Sequence, residues 1–213
     1  MPVRRPRRTS SRPPNTDAVI DPGLLLRAYR EGLFPMALDD GDIGWFSPDP
    51  RGIIPIDTFH VPKRLARVVR SGRFEIRIDT AFVEVIHACA LNREEGTWIS
   101  DEIIVSYAAL FAMGYAHSVE AWRDGRLAGG LYGVHLGGAF FGESMFHRET
   151  DASKVALVAL VERLRARGFT LLDTQWVTPH LRRFGAIEIP CSEYRKRLER
   201  ALVAGPGERD EPR

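Results

Sequence analysis

Three polar side chains stand out because apolar runs surround them: Glu143, Asp173 and Gln175. Glu143 sits in Phe140-Phe141-Gly142-Glu143-Ser144-Met145-Phe146, a run that reads as a strand. Side chains alternate along a strand, so Phe141, Glu143 and Met145 are expected on one face and Phe140, Gly142, Ser144 and Phe146 on the other. A carboxylate between apolar neighbours is costly unless a cation or hydrogen-bond donor meets it. The ordinary reading is an internal ion pair with Lys154 or Arg148; the functional reading is that Glu143 faces a substrate. Asp173 and Gln175 lie two residues apart at the end of Phe169-Thr170-Leu171-Leu172-Asp173-Thr174-Gln175, so both project to the same side. By itself Asp-Thr-Gln is a strand end with Asp173 as turn former. With Glu143 on another strand of the same sheet, that ordinary reading weakens.

The elements that must hold these groups follow from periodicity and caps. Asp21 followed by Pro22 starts a helix that is left at Gly32. Leu33–Gly52 is aromatic, Pro-rich and acidic in its middle, with poor propensity for regular structure. Phe82, Val85, Ile86 and Cys89 make a helical stripe with Asp79 as its cap; Ile104, Tyr107, Ala108 and Phe111 make another, entered at Ser100 and left at Gly114. Strands follow at 116–122, 127–134 and 139–145, the first two joined by the hairpin signal Asp124-Gly125. A helix through Leu157, Leu160, Val161 and Leu164 runs from Asp151 to Gly168. Then come the Asp173 strand, a short helix at Thr178-Pro179, a strand at Ala186–Ile189 and a helix at 192–203. This α+β order resembles the N-acetyltransferase-like (GNAT) core, a mainly antiparallel sheet flanked by helices whose site opens where central strands splay apart. The domain reading is an Arg/Pro-rich arm at 1–16, a small N-terminal domain at 17–60, a GNAT-like catalytic domain at 61–204 and a frayed tail at 205–213.

Composition removes several classes. With 44% apolar and 27% charged residues and a net charge of +2, the 213-residue chain reads as an ordinary cytoplasmic globular protein. It has no apolar run near the roughly 18 residues of a membrane span. Cys89 and Cys191 fit neither a CxxC pattern nor a metal cluster and read as buried reduced thiols. The six histidines lack ligand spacing, so no metal is expected. There is no P-loop, Rossmann fingerprint, HExxH or GxSxG. Residues 1–16 carry five arginines, four prolines and no acid, which makes a solvated tail or a loose contact for RNA phosphates. Trp45, Phe46 and Trp98 are core aromatics or stacking platforms for a base.

Together these stretches resemble the leucyl/phenylalanyl-tRNA–protein transferase family over roughly residues 22–203. The segments that carry the resemblance are Gly32-Leu33-Phe34-Pro35, Trp45-Phe46-Ser47-Pro48-Asp49-Pro50-Arg51, Glu94-Glu95-Gly96-Thr97-Trp98-Ile99 and Gly114–Trp122. Gly130–Val134, Phe141–Phe146, Ala152-Ser153-Lys154, Asp173-Thr174-Gln175 and Gly185–Pro190 follow in family order. The resemblance implies transfer of leucine, or phenylalanine or methionine, from aminoacyl-tRNA to proteins that begin with Arg or Lys, marking them for the bacterial N-end rule pathway. It implies no cofactor, because the ester is already activated. It points to the Asp173/Gln175 pair, with Asp173 as proton acceptor or electrostatic orienter and Gln175 placing the amine. Glu143 either pairs with the cationic side chain of the acceptor or holds the donor amine.

The resemblance also places an apolar socket at Leu131, Phe140, Leu160 and Leu164, with Ser144 beside it. Relatives often carry aromatics at the positions of Leu160 and Leu164. They commonly have tryptophan at the position of Met36, where it helps hold the terminal adenosine; here Trp98 takes more of that contact, or Trp45 substitutes. A monomer is the default. The main rival is a CoA-dependent N-acyltransferase, which needs a Gly/Arg-rich pyrophosphate loop; His147–Lys154 has no glycine. A noncatalytic RNA-binding module would need a basic face throughout the folded part, and the charge balance outside residues 1–16 does not supply one.

Overall fold

The computed structural model describes residues 19–91 and 97–204; the arm, the tail at 205–213 and Glu94–Gly96 lie outside the described residues. Helix α1 (Pro22–Arg30) begins as its sequence predicts. The Asp21 carboxylate accepts from the Leu24 amide at 2.8 Å, and Gly32 leaves the helix at φ 74°. The next stretch is more regular than its composition suggests. β1 (Phe34–Ala37) and β2 (Ile43–Phe46) form an antiparallel hairpin, and β3 (Arg51–Ile54), buried at all four positions, joins the large sheet. Burial supplies the order that local propensity lacks. β3 falls within the stretch expected as a separate unit at 17–60, yet it pairs with strands from the other end of the chain.

α2 (Lys63–Arg70) and β4 (Glu75–Ile78) precede α3 (Phe82–Leu91) and α4 (Asp101–Ala112). Ser100 caps α4 through the Ile103 amide at 3.3 Å. Asp79 does not cap α3: it stands at φ 59°, and its carboxylate takes the Ser118 amide and His117 instead. The cap comes from across the sheet, where the fully buried Glu120 accepts from the Thr80 and Ala81 amides at 3.1 Å each. Helix N-termini attract carboxylates whatever their distance in sequence.

The meander β5 (Ala116–Arg123), β6 (Arg126–Leu136) and β7 (Ala139–His147) is followed by α5 (Ala152–Ala166), β8 (Leu171–Gln175), α6 (Pro179–Arg182), β9 (Ile187–Ile189) and α7 (Cys191–Ala204). Asp124 and Gly125 both take positive φ, as a two-residue hairpin turn requires. The seven-stranded sheet has the order β4-β5-β6-β7-β8-β3-β9 and is antiparallel except between β7 and β8. One face packs against α1, α3, α4 and α7 through Leu25, Val85, Ile103 and Leu198; the other packs against α2 and α5 through Leu65 and Val155. This is the expected α+β architecture. The parallel pairing of β7 with β8 stops at Phe141↔Asp173, although β7 runs on to His147. The sheet opens there.

Strict alternation fails at that opening. Tyr132 pairs with Ser144 and Gly133 with Gly142, which leaves Glu143 opposite no residue of β6. Phe141 and Phe146 therefore pack on one face, while Phe140 and Met145 pack on the other, contrary to the alternation expected from sequence. A bulge inserts one residue and reverses the phase beyond it. Gly133 is required beside it, because a Cβ there would stand 2.3 Å from the Phe141 carbonyl oxygen. Cys89 is buried and Cys191 half-buried, both as free thiols.

Candidate active site

The opening between β7 and β8 leads into a cavity of ≈ 450 Å³. Leu131, Leu157, Leu160, Leu172 and Leu181 line its apolar interior, and Glu143, Ser144 and Gln175 bring polar groups to its wall. Phe34, Met36, Trp98 and Trp176 add aromatic and thioether surface to the lining, and Thr174, Thr178 and His180 further polar groups. Volume and lining are those of a site for a small apolar group met by a few aimed polar atoms.

Beneath this wall lies Asp173, with no exposed surface. Its Oδ1 accepts from Arg51 Nε at 3.0 Å and from the Gln175 amide at 2.9 Å; its Oδ2 accepts from Arg51 Nη2 at 2.7 Å and from the Tyr194 hydroxyl at 2.6 Å. Four donors hold the two oxygens, two of them from a bidentate guanidinium. Arg51 is equally buried, gives its Nη1 to the Gly32 carbonyl at 2.9 Å, and lies 4.5 Å over the Tyr194 ring. Burial, followed by the adjacent carboxylate, drives the Tyr194 hydroxyl upward, so it stays protonated and donates. The contact to the Gln175 amide bends the strand end: Gln175 takes φ 57°, an uncommon conformation for a side-chain-bearing residue, and turns its amide into the cavity.

Among the described residues, no cation contacts Glu143 in this way. Its Oε1 accepts from Tyr29 at 2.7 Å and from Gln175 Nε2 at 3.4 Å, and its Oε2 from Tyr107 at 3.3 Å. The two tyrosine hydroxyls also bond to each other. Burial raises the Glu143 carboxyl to about 7, with the Asp173 charge adding to the rise and the tyrosine hydroxyls opposing it. The ion-pair reading of this residue does not hold. Lys154 bonds to Asp151 at 2.7 Å and Arg148 to Glu84 at 3.1 Å. A carboxylate that titrates near neutrality beside a carboxamide can accept and return a proton.

The sequence candidates divide cleanly. Glu143, Gln175, Ser144, Trp98, Met36, Leu131 and Leu160 line the cavity. Phe140 and Leu164 are buried in the apolar cluster that backs it, without joining the lining. Trp45 stands on β2, 37% exposed and outside the lining; Trp176 occupies the mouth instead. Sequence reasoning missed Arg51, Tyr29, Tyr107, Tyr194 and Trp176 as site residues. Arg51 ends a segment already notable for its prolines, but nothing local links it to Asp173, 122 residues away. Among the described residues no group of three or more His, Cys, Asp or Glu side chains is placed to hold a metal ion.

The profile described as leucyl/phenylalanyl-tRNA protein transferase matches residues 53–199, and that of the family's N-terminal domain matches residues 18–49. The chain belongs to this family. Relatives carrying the name leucyl/phenylalanyl-tRNA–protein transferase include one from Akkermansia muciniphila, 57% identical over 186 residues, which span 86% of this chain and 96% of that protein. Another, from Gloeobacter violaceus, is 59% identical over 185 residues, covering 86% and 95%. A ribosomal-protein-alanine N-acetyltransferase from Brucella melitensis is a distant structural match, with a TM-score of 0.35 and 17% identity over 66% of this chain and 98% of that one. The two family profiles meet between residues 49 and 53, where β3 enters the large sheet.

Proposed function

We propose that the protein moves leucine, and also phenylalanine or methionine, from aminoacyl-tRNA to the amino terminus of cytoplasmic proteins that begin with Arg or Lys, marking them for N-end rule degradation. The observation that carries this reading is the leucine-lined cavity with Glu143 and Gln175 on its wall. The donor side chain enters the apolar interior, which brings the ester carbonyl to the polar wall. Donor side chains that differ by a methylene are separated by only ~1–3 kcal/mol in such a socket, which suits a reaction that accepts several apolar residues.

In this mechanism the acceptor α-amine attacks the ester carbonyl. A C–N bond forms, the C–O bond to the terminal ribose breaks, and the ribose oxygen leaves with the proton. The unperturbed α-amine, at about 7.7–8.0, supplies a neutral fraction near pH 7. Gln175 orients the amine, Glu143 takes its proton, and the leaving oxygen recovers it, so no net proton is consumed. Asp173 is the electrostatic orienter rather than the acceptor, since four donors already occupy its oxygens. The amine attacks the ester directly, with no acyl-enzyme step, and neither Cys89 nor Cys191 belongs to the cavity lining. One chain supplies every residue named, so a monomer suffices. The approach of α5 is ill suited to a CoA pyrophosphate: Asp151 stands at its N-cap position, paired with Lys154, and a second anion there would be repelled.

The test is a transfer assay with tRNA charged with labelled leucine or phenylalanine and peptides that differ only in starting with Arg, Lys or Ala. Label should pass to the Arg and Lys peptides alone and fail to pass with Glu143→Gln. Consumption of acetyl-CoA with no transfer from either tRNA would replace this reading with that of an N-acyltransferase.

A further inference from the structure

In the transfer proposed above, Glu143 takes the proton of the acceptor amine, and its surroundings admit water to the same position. A carboxylate offers about four acceptor positions on its two oxygens. Tyr29 and Gln175 fill two on Oε1 and Tyr107 one on Oε2, so among the described residues one position on Oε2 stays free. Glu143 is half-buried rather than sealed, as are Ser144 and Met36 on the same lining. At the mouth Trp176 is 47% exposed and Thr178 is exposed as well. A water claims only ~30 Å³ of the liquid, and the cavity of ≈ 450 Å³ holds an aliphatic side chain with room left at its polar wall. Closing a site over an activated ester is what keeps water from it. Here the base is reached from solvent.

We propose that the site has a second activity: without an acceptor it hydrolyses the aminoacyl ester and releases the free apolar amino acid from tRNA. The inference rests on the aminoacyl-transfer reading above, with water in the place of the acceptor amine. The water oxygen bonds to the ester carbonyl carbon, and its proton passes to the free position on Glu143. The C–O bond to the ribose breaks, and the ribose oxygen recovers that proton from Glu143. Free leucine and uncharged tRNA leave; one water is consumed and no other reactant is needed. The groups that face Glu143 are Tyr29 on α1, Tyr107 on α4, Gln175 on β8 and, deeper, the Asp173–Arg51 pair. Burial keeps both phenols protonated, so Glu143 rather than a phenol changes charge near neutrality. A neutral amine is a stronger nucleophile than water, so hydrolysis shows where the acceptor is scarce or protonated.

The experiment uses the full chain with tRNA charged with labelled leucine and separates free leucine from leucyl-peptide. Without peptide, free leucine should appear faster than in a protein-free control, and Glu143→Gln should lower the protein-dependent release ~10²-fold or more. tRNA charged with aspartate, whose carboxylate does not suit a leucine-lined socket, should not be deacylated above the control. A second reading needs no variant: the ratio of leucyl-peptide to free leucine with an Arg-starting peptide held well below its KM. An α-amine at its ordinary value of about 7.7–8.0 loses its neutral form about tenfold per pH unit in acid, whereas water does not titrate. Both reactions draw on Glu143, whose titration cancels, so the ratio should fall about tenfold from pH 7 to pH 6. A level ratio would mean attack by hydroxide without Glu143 and overturns the proposal. Release no faster than the control, unchanged in Glu143→Gln, or undiminished at saturating peptide overturns it too. Each of these outcomes leaves the transferase reading standing when label reaches the peptide. Deacylation that responds to Glu143→Gln with no transfer to any peptide overturns the transferase reading and keeps the hydrolysis, and protein that does neither overturns both.

Discussion

Asp173 and Glu143 are carboxylates on adjacent strands of one sheet, and they have almost nothing else in common. Asp173 is sealed from solvent and saturated by a guanidinium, a phenol and a backbone amide. Glu143 reaches the cavity and is met by two phenols and a carboxamide, with no cation in contact among the described residues. The first is therefore an ion-paired carboxylate that shapes the strand end; the second, raised to about 7, is the group the proposed transfer uses to move a proton. Environment rather than residue type divides the labour, as in other sites that run acid–base chemistry with paired carboxylates.

The largest effect should come from removing the fixed anion. Asp173→Ala leaves Arg51 buried without its partner and should cost ~3–5 kcal/mol of stability, read by urea unfolding at pH 7, together with loss of transfer. Replacing both members with apolar residues of similar volume, Arg51→Met with Asp173→Leu, should regain most of that stability and none of the activity. Recovery of activity in the double variant would mean that the pair does no positioning.

Glu143→Gln should act in the opposite sense. Transfer should fall ~10²–10⁴-fold, the range of a general base, while the fold gains stability at pH 8. The direction follows from the carboxyl, which is raised from 4.5 to about 7 in the folded protein. The native state holds this proton more tightly than the unfolded chain, so wild-type stability declines between pH 4.5 and 7 and stays lowered above. The glutamine variant lacks that decline, which thermal unfolding across this range would register.

Two smaller effects sharpen the contrast. Tyr29→Phe removes a donor that holds the Glu143 carboxyl down, so the acid limb of the rate profile should move to higher pH with the same acceptor peptide. A profile that stays put would mean that another group carries the proton. Leu160→Ala should shift the phenylalanine-to-leucine ratio of kcat/KM by about 5- to 150-fold toward phenylalanine, because Leu160 lines the cavity. Leu164→Ala should leave that ratio alone and cost only ~2–5 kcal/mol of stability, because Leu164 lies behind the lining.

Helices α4 and α5 and the meander were legible because their apolar spacing and caps are local. Asp124-Gly125 dictates its turn wherever it occurs. Glu143 and the Asp173–Gln175 pair were legible because polar groups inside apolar strands call for an explanation. The bulge at Glu143 was not, since Gly142 and Gly133 permit it but only the pairing of β6 with β7 demands it. Likewise β1, β2 and β3 have weak propensity of their own, and the cap of α3 comes from Glu120, some 40 residues away.

The sequence alone thus determined the fold class, the order of its main helices and strands, and which carboxylates to watch. Hydrophobic period, caps and turn residues act over a few neighbours, and a single chain displays them in full. Tertiary structure decided what those carboxylates do. It brought Arg51 and Tyr194 to Asp173 from 122 and 21 residues away, and Tyr29 and Tyr107 to Glu143 from 114 and 36 residues away. It also set Trp176 rather than Trp45 at the cavity mouth. Proton affinity depends on what surrounds a side chain in space, and no spacing along the sequence encodes those surroundings.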